Sequence, residues 1–364
     1  MSLKKFIIIL VIMMFTVPTI LYTINLYQEP PDPGIDIFLN PKVMYLDYNP
    51  ENNHIYGYIS HLKGHEAIYL VSLDLEENKT DVIESGIKKG DVLCYVYLDK
   101  HRNYIYSDVW IKKENRHEIL VFDCNRSGLV DRIELLTQID RVDYLFGDER
   151  GENLFISTED GIYMYNFDKR QISGFIPGRS RIYSGYALVL SNDTKIIVHT
   201  GENISMYNLT DISSGNLSEL DNYRDSDQPY GFRKYDMIYN KDENRLYYND
   251  FKHIYRLKID SNNNSIKRDI VLEADSQIFD FQIYKGEIFY ISLEKGLYRF
   301  NLSTGKRVKL GDPYEILLGR PTSINNIYRL VINDRSGKLY CGGVGNYIYE
   351  YDINRDNFTM VYEI

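Results

Sequence analysis

An all-β chain made of seven equivalent four-stranded units is what this sequence predicts, on three observations. First, one short phrase recurs seven times, alternating apolar and polar residues and in most copies ending at or near Asp or Asn, as in His-Ile-Tyr-Arg-Leu-Lys-Ile-Asp at 253–260. Second, runs with a period of two, bounded by Asn, Asp and Gly clusters, surround each copy. This is the pattern of short strands joined by tight turns. Third, the candidate first strands begin near Val43, Leu93, Asp143, Tyr186, Tyr235, Phe279 and Ile327, at intervals of 50, 50, 43, 49, 44 and 48 residues. A period of ~40–50 residues is that of propeller blades. The predicted fold is a seven-bladed β-propeller of four-stranded antiparallel blades over residues 41–364.

Ahead of the ring stands an apolar segment. Lys4 and Lys5 precede an uncharged run at 6–27. Twenty-two residues at ~1.5 Å rise are enough to cross a ~30 Å bilayer core. Pro18 interrupts the run, and no Ala, Gly or Ser occurs between Leu3 and Pro33, so a small-residue cleavage site is missing. Residues 1–27 therefore read as a signal-anchor helix, with a cleaved signal peptide as the alternative. Residues 28–40, with Gln-Glu-Pro-Pro-Asp-Pro-Gly at 28–34, form a short stiff linker. In either case Lys4 and Lys5 stay in the cytosol and the propeller is exported.

The blades follow in order, each with its own copy of the third-strand phrase. These copies lie at 67–74, 118–123, 161–168, 203–210, 253–260, 296–302 and 347–353. Blade five shows the full rhythm: a strand at 235–239, a polar turn, strands at 245–250 and 253–259, and an outer strand at 268–272. The last strand, 358–364, completes blade seven. The ring then closes either by packing blade seven on blade one or through an added edge strand from 35–39.

Composition narrows the function. Hydrophobic residues at 44% and charged residues at 26% are ordinary for a globular protein. A net charge of −10 argues against nucleic acid, whose phosphates select basic faces. Tyrosine is abundant, 34 against the single Trp110. It suits half-buried strands, and a Tyr-lined pocket for an aromatic ligand is the alternative explanation. Nine sequons, at Asn78, Asn125, Asn192, Asn203, Asn208, Asn216, Asn263, Asn301 and Asn357, agree with export and are candidate glycosylation sites. Cys94, Cys124 and Cys341 are too few for a disulfide framework, and 94 and 124 fall two strand spacings apart, so free thiols are expected. No Cys/His grouping has zinc-like linear spacing, and no metal or other cofactor is expected.

Two long loops, 213–234 and 311–326, lead into first strands at one mouth of the ring, where propellers bind partners. A basic residue recurs beside the start of six first strands. Arg141, Arg181, Arg233 and Arg320, with Tyr230 and Tyr314, are therefore candidates for a ligand-binding rim that takes a carboxylate or phosphate. Asp47, Asp99, Asp143, Asp236 and Asp280 offer channel carboxylates but sit at different depths of their strands. No catalytic motif is present: there is no Gly-x-Ser-x-Gly elbow, P-loop or dinucleotide fingerprint.

The phrases Asn-Arg-Leu-Tyr-Tyr-Asn-Asp at 244–250 and Asn-Tyr-Ile-Tyr-Ser-Asp at 103–108 resemble those of YWTD-type propellers. They are also similar to YVTN-type, ommochrome-binding and yellow-type exported propellers. The resemblance covers 43–364 at the level of fold rhythm and carries no family site over. The sequence thus reads as an exported monomeric binding or protein-interaction module rather than an enzyme. The alternatives are a carrier of a small aromatic or anionic ligand such as a pigment, and a metal-dependent hydrolase of lactonase type.

Overall fold

The computed structural model describes residues 42–363, apart from 61–67, 84–86, 88–90, 127, 136–138, 140, 149, 178–181, 191–192, 201–202, 211–218, 225–236, 241–242, 251, 261–264, 293–295, 314–315, 317–326 and 344–346. The N-terminal apolar segment, the linker and the 35–39 latch lie outside the described residues. No helix among those described is long and apolar enough to cross a membrane.

Twenty-eight strands form seven four-stranded antiparallel sheets, each built from four consecutive strands. Blade one is Lys42–Asn49, His54–Ser60, Ile68–Asp74 and Lys79–Ile83. Blade two is Val92–Asp99, Tyr104–Ile111, Arg116–Asp123 and Gly128–Glu134. Blade three is Val142–Gly147, Asn153–Thr158, Gly161–Asn166 and Gln171–Pro177. Blade four is Ile182–Leu190, Asp193–Thr200, Asn203–Asn208 and Glu219–Arg224. Blade five is Met237–Asn240, Arg245–Asn249, His253–Asp260 and Ser265–Glu273. Blade six is Ile278–Tyr284, Glu287–Ser292, Leu297–Asn301 and Arg307–Gly311. Blade seven is Ile327–Asn333, Lys338–Gly343, Tyr347–Asp352 and Asn357–Glu363. The expected first-strand starts agree closely for five blades. The strand of blade four begins earlier, at Ile182.

The Asp or Asn that closes the recurring phrase has a local job. Asp74 Oδ1 accepts the amides of Glu76 and Glu77, at 2.8 and 3.1 Å. Asn301 does the same for Ser303 and Thr304, and Asp352 for Asn354 and Arg355. First strands end the same way: Asp99 caps the amides of His101 and Arg102, and Asn333 those of Arg335 and Ser336. A short polar side chain folded back on the backbone two or three residues ahead is what turns the chain. Asn53, Asn103 and Asn244 then take the left-handed position inside the first hairpin, with φ of 57°, 58° and 52°.

A second feature repeats in the first strands. In six blades the pairing of first and second strand skips one residue near the start, at Met44, Cys94, Asp143, Tyr183, Phe279 and Tyr328. A bulge there bends the strand and re-aims its side chains. Six outer hairpins carry a bulge too, which twists the exposed edge away from flat pairing.

Apolar packing lies between blades rather than in one central core. Leu93, Val96 and Ile105 of blade two pack with Tyr56 and Leu70 of blade one. Similar layers fill the gaps between blades two and three, three and four, four and five, five and six, and six and seven. The seventh layer closes the ring: Val331, Tyr340, Ile348 and Tyr362 of blade seven meet Val43, Leu46, Tyr48 and Ile55 of blade one. Among the described residues, blades seven and one are joined by packing.

Glu350 ties three strands of the last blade together. It is 3% exposed and accepts Lys338 Nζ at 2.8 Å, Thr359 Oγ1 at 2.7 Å and Tyr362 Oη at 2.9 Å. Burial alone would raise its pKa, but these three donors outweigh burial and hold it below the usual value. Glu350→Gln is predicted to cost about 1.5–3 kcal/mol at pH 7, as for bonds to a charged group. Because the folded pKa is depressed, that stability is present above the unfolded value of ~4.3 and is lost as pH falls through the folded one. Urea unfolding of both proteins should show a gap that narrows below about pH 4.

Candidate functional site

The first strands stand side by side around the ring, blade seven's beside blade one's. With neighbouring residues they line a central cavity of about 680 Å³. Seven aromatic residues contribute to its wall: Tyr45, Tyr58, Tyr95, Tyr97, Tyr144, Phe146 and Tyr239. Tyr45 stacks on Tyr58 at 6.5 Å between ring centres, Tyr95 meets Tyr144 edge-on at 6.5 Å, and Tyr144 leans on Phe146 at 6.1 Å. Gly147 permits this wall, because a Cβ there would overlap the Tyr97 ring and hydroxyl. The Tyr45 hydroxyl lies 3.3 Å from Asp47 Oδ2, to which it donates, and accepts the Leu98 amide at 3.0 Å, tying blade one to blade two.

Three of these phenols, Tyr45, Tyr58 and Tyr95, are held in the neutral form. Burial, then Asp47, raises Tyr45 well above its ordinary pKa. Burial pushes Tyr58 up to about 12 against the pull of Arg329, and Tyr95 up to about 12 with help from Asp143. Each hydroxyl thus remains a donor across the working pH range.

The channel acids stay apart, as their differing depths imply. Asp47 pairs with Lys100 at 2.8 Å. Asp280 accepts the amides of Phe281 and Leu330, both at 2.8 Å, and faces Arg329 at 4.0 Å, joining blade six to blade seven. Asp99 caps its turn through Oδ1. Asp143 pairs with Arg141 at 3.0 Å. Asp236 lies outside the described residues. Among those described, no set of channel carboxylates converges on one point.

Of the expected rim, Arg141 is described: its side chain is half exposed beside Asp143. Arg181, Arg233, Arg320, Tyr230 and Tyr314 lie outside the described residues, together with most of both long loops. Among the sequons, Asn78, Asn125 and Asn357 are exposed, and Asn208 and Asn301 are partly buried. The Asn203 backbone is in a strand, and Asn192, Asn216 and Asn263 fall outside.

All three cysteines are free thiols. Cys94 lies at the leading end of blade two, whereas Cys124 follows the far end of that blade's third strand. One grouping was not anticipated from linear spacing. The Cys94 thiol, the Asp108 carboxylate and the His117 ring offer ligand atoms that all lie within 4.8 Å of one another. His117 Nδ1 is 2.9 and 3.1 Å from the two Asp108 oxygens. Strand pairing was the available signal, since Tyr95 pairs with Asp108 and Trp110 with His117 across three adjacent strands. Burial, then the nearby Asp108, pushes the Cys94 thiol up to about 12, and burial raises Asp108 despite its bond to His117.

No known family profile matches the chain, and no curated protein matches it.

Asp143 gives a test of the mouth. Burial, opposed by Arg141, raises its pKa to about 6. The folded value is above the unfolded ~3.9, so the folded state holds the extra proton between them, and stability falls as pH rises across that window. Asp143→Asn removes this dependence. Chemical unfolding at pH 4 and pH 7 should show the variant gaining on the parent by roughly 2 kcal/mol at the higher pH. An unchanged gap would mean that Asp143 is solvated.

Proposed function

We propose that this propeller is a binding protein that holds a small, flat aromatic ligand with an anionic group in its central channel. The channel wall carries the reading: about 680 Å³ of space faced by tyrosines in aromatic contact, with Lys100 and Arg329 among the lining residues. Cavities of ~300–1,000 Å³ suit small molecules, with apolar walls giving affinity and a few polar groups giving orientation. Aromatic pairing contributes about 0.5–1.5 kcal/mol per ring. The phenol hydroxyls donate to ligand oxygens, and the Arg329 guanidinium offers a planar fork to a carboxylate. Fixed walls add to affinity by lowering the ordering cost of binding.

A propeller is also suited to presenting an interaction surface at its mouth. The half-exposed Arg141 supports a protein partner there as the second reading. In either case the proposed setting is outside the cytosol. Residues 1–27 would tether or export the ring, residues 28–40 would space it, and Asn78, Asn125 and Asn357 would be open to glycosylation.

Anilinonaphthalene sulfonate, a flat aromatic anion that brightens in apolar surroundings, tests the channel. One dye per chain is expected, displaced by naphthoate. Tyr144→Ala and Arg329→Lys should each weaken it by about tenfold, equivalent to ~1.4 kcal/mol, while Phe175→Ala on the outer strand leaves it unchanged. Binding that survives both channel substitutions, or no saturable binding of either anion, would contradict the reading.

A further inference from the structure

Cys94, Asp108 and His117 come from three neighbouring strands of blade two and meet at the same end of the blade. We propose that they form a three-ligand site for one divalent transition-metal ion of borderline softness, with Zn²⁺ the best chemical match. This site is separate from the channel-ligand reading, and either can fail without the other.

The donor set points to the metal. A thiolate, an imidazole and a carboxylate together select zinc-like ions over calcium or magnesium, which prefer oxygen alone. Three protein ligands with a further position left for water or substrate is the pattern of open zinc centres. Cys94 is the member that lines the channel, so an ion and its fourth ligand would reach the site from that side.

The geometry is close to what such an ion needs. Zinc–nitrogen and zinc–oxygen bonds of ~2.0–2.2 Å in a tetrahedron place those two donors ~3.3–3.5 Å apart. His117 Nδ1 and Asp108 Oδ1 stand at 2.9 Å, and all three donor atoms lie within 4.8 Å of one another. Opening the nitrogen–oxygen pair by about 0.5 Å and adjusting the sulfur to the same centre completes the set. All three residues sit on paired strands rather than on loops, which holds ligand directions well. The bulge at Cys94 departs from the regular pleat at the position that supplies the sulfur.

Charge also favours the ion. Asp108 is fully buried and His117 is 6% exposed. A dication with one thiolate, one carboxylate and a neutral imidazole sums to zero, so no net charge is left buried. The Arg141 guanidinium nearby is held by Asp143 at 3.0 Å, which limits its repulsion. Loading is balanced by one proton: the cation and the Cys94 thiol give a metal thiolate and a proton released to solvent. The imidazole proton moves from the nitrogen facing Asp108 to the other ring nitrogen, with no net change.

Cobalt(II) added to the chelator-treated full-length protein tests the site. One ion per chain should bind, giving a thiolate-to-cobalt charge-transfer band in the near ultraviolet that Zn²⁺ abolishes. Calorimetry in buffers of different ionisation enthalpy should report one proton released per ion. Cys94→Ser keeps a hydroxyl beside Asp108 and so spares the fold. It should remove the band and weaken binding by more than about 100-fold, beyond the usual cost of a lost outer partner. His117→Gln should also lose the tight site, and Cys124→Ser should retain it. A band that persists in Cys94→Ser, binding without proton release, or no saturable binding by the parent would overturn the proposal and leave the trio as a hydrogen-bonded structural cluster.

Discussion

The second and third strands of each blade must feed two apolar layers at once, and the rest of the structure depends on this. The second strand of blade six is explicit. Its Ile288 and Tyr290 pack toward blade five, and its Phe289 and Ile291 pack toward blade seven. A slip of one residue would exchange the two sets, so pairing register and blade order are specified together. No blade buries its faces alone. The fold holds because the seventh layer, between Tyr340 and Tyr362 of blade seven and Leu46 and Ile55 of blade one, covers the two faces that a linear stack would leave bare.

The channel inherits its character from that arrangement. First strands are held from both sides, so the side chains they carry toward the axis are fixed before any ligand arrives. Tyrosine suits this position because its ring joins a layer while its hydroxyl reaches a polar partner. Tyr45 belongs to the layer between blades one and two and bonds the Leu98 amide across it. Asp280 performs a comparable bridge from blade six to the Leu330 amide of blade seven. The bonds that line the channel are thus also bonds that hold neighbouring blades together, and a ligand there would meet a wall with little freedom to rearrange.

Blade number and strand order were legible because they rest on local chemistry. The alternation of apolar residues marks a strand with two buried faces, and the closing Asp74, Asn301 or Asp352 marks the turn that its side chain caps. Tyrosine abundance follows from the strands: Tyr247 and Tyr349 are buried within layers, whereas Tyr95 and Tyr144 line the channel. The trio of Cys94, Asp108 and His117 was not legible by linear spacing, because strand pairing rather than sequence separation brings its members together. A search across the paired positions of neighbouring strands would have found it. The dispersal of the channel acids was foreseen from their depths, but their individual partners were not: Lys100 and Arg141 reach Asp47 and Asp143 from outside the regular alternation.

Ring closure by packing is the central claim, and native-state hydrogen exchange across the seam measures it most directly. With the seventh layer formed, amides of the seam strands Lys42–Asn49 and Lys338–Gly343, each paired within its own blade, should exchange as slowly as their counterparts in blades two and three, Val92–Asp99 and Asn153–Thr158. Rapid, concerted exchange confined to blades one and seven would show that the ring opens at the seam, and would contradict closure by packing.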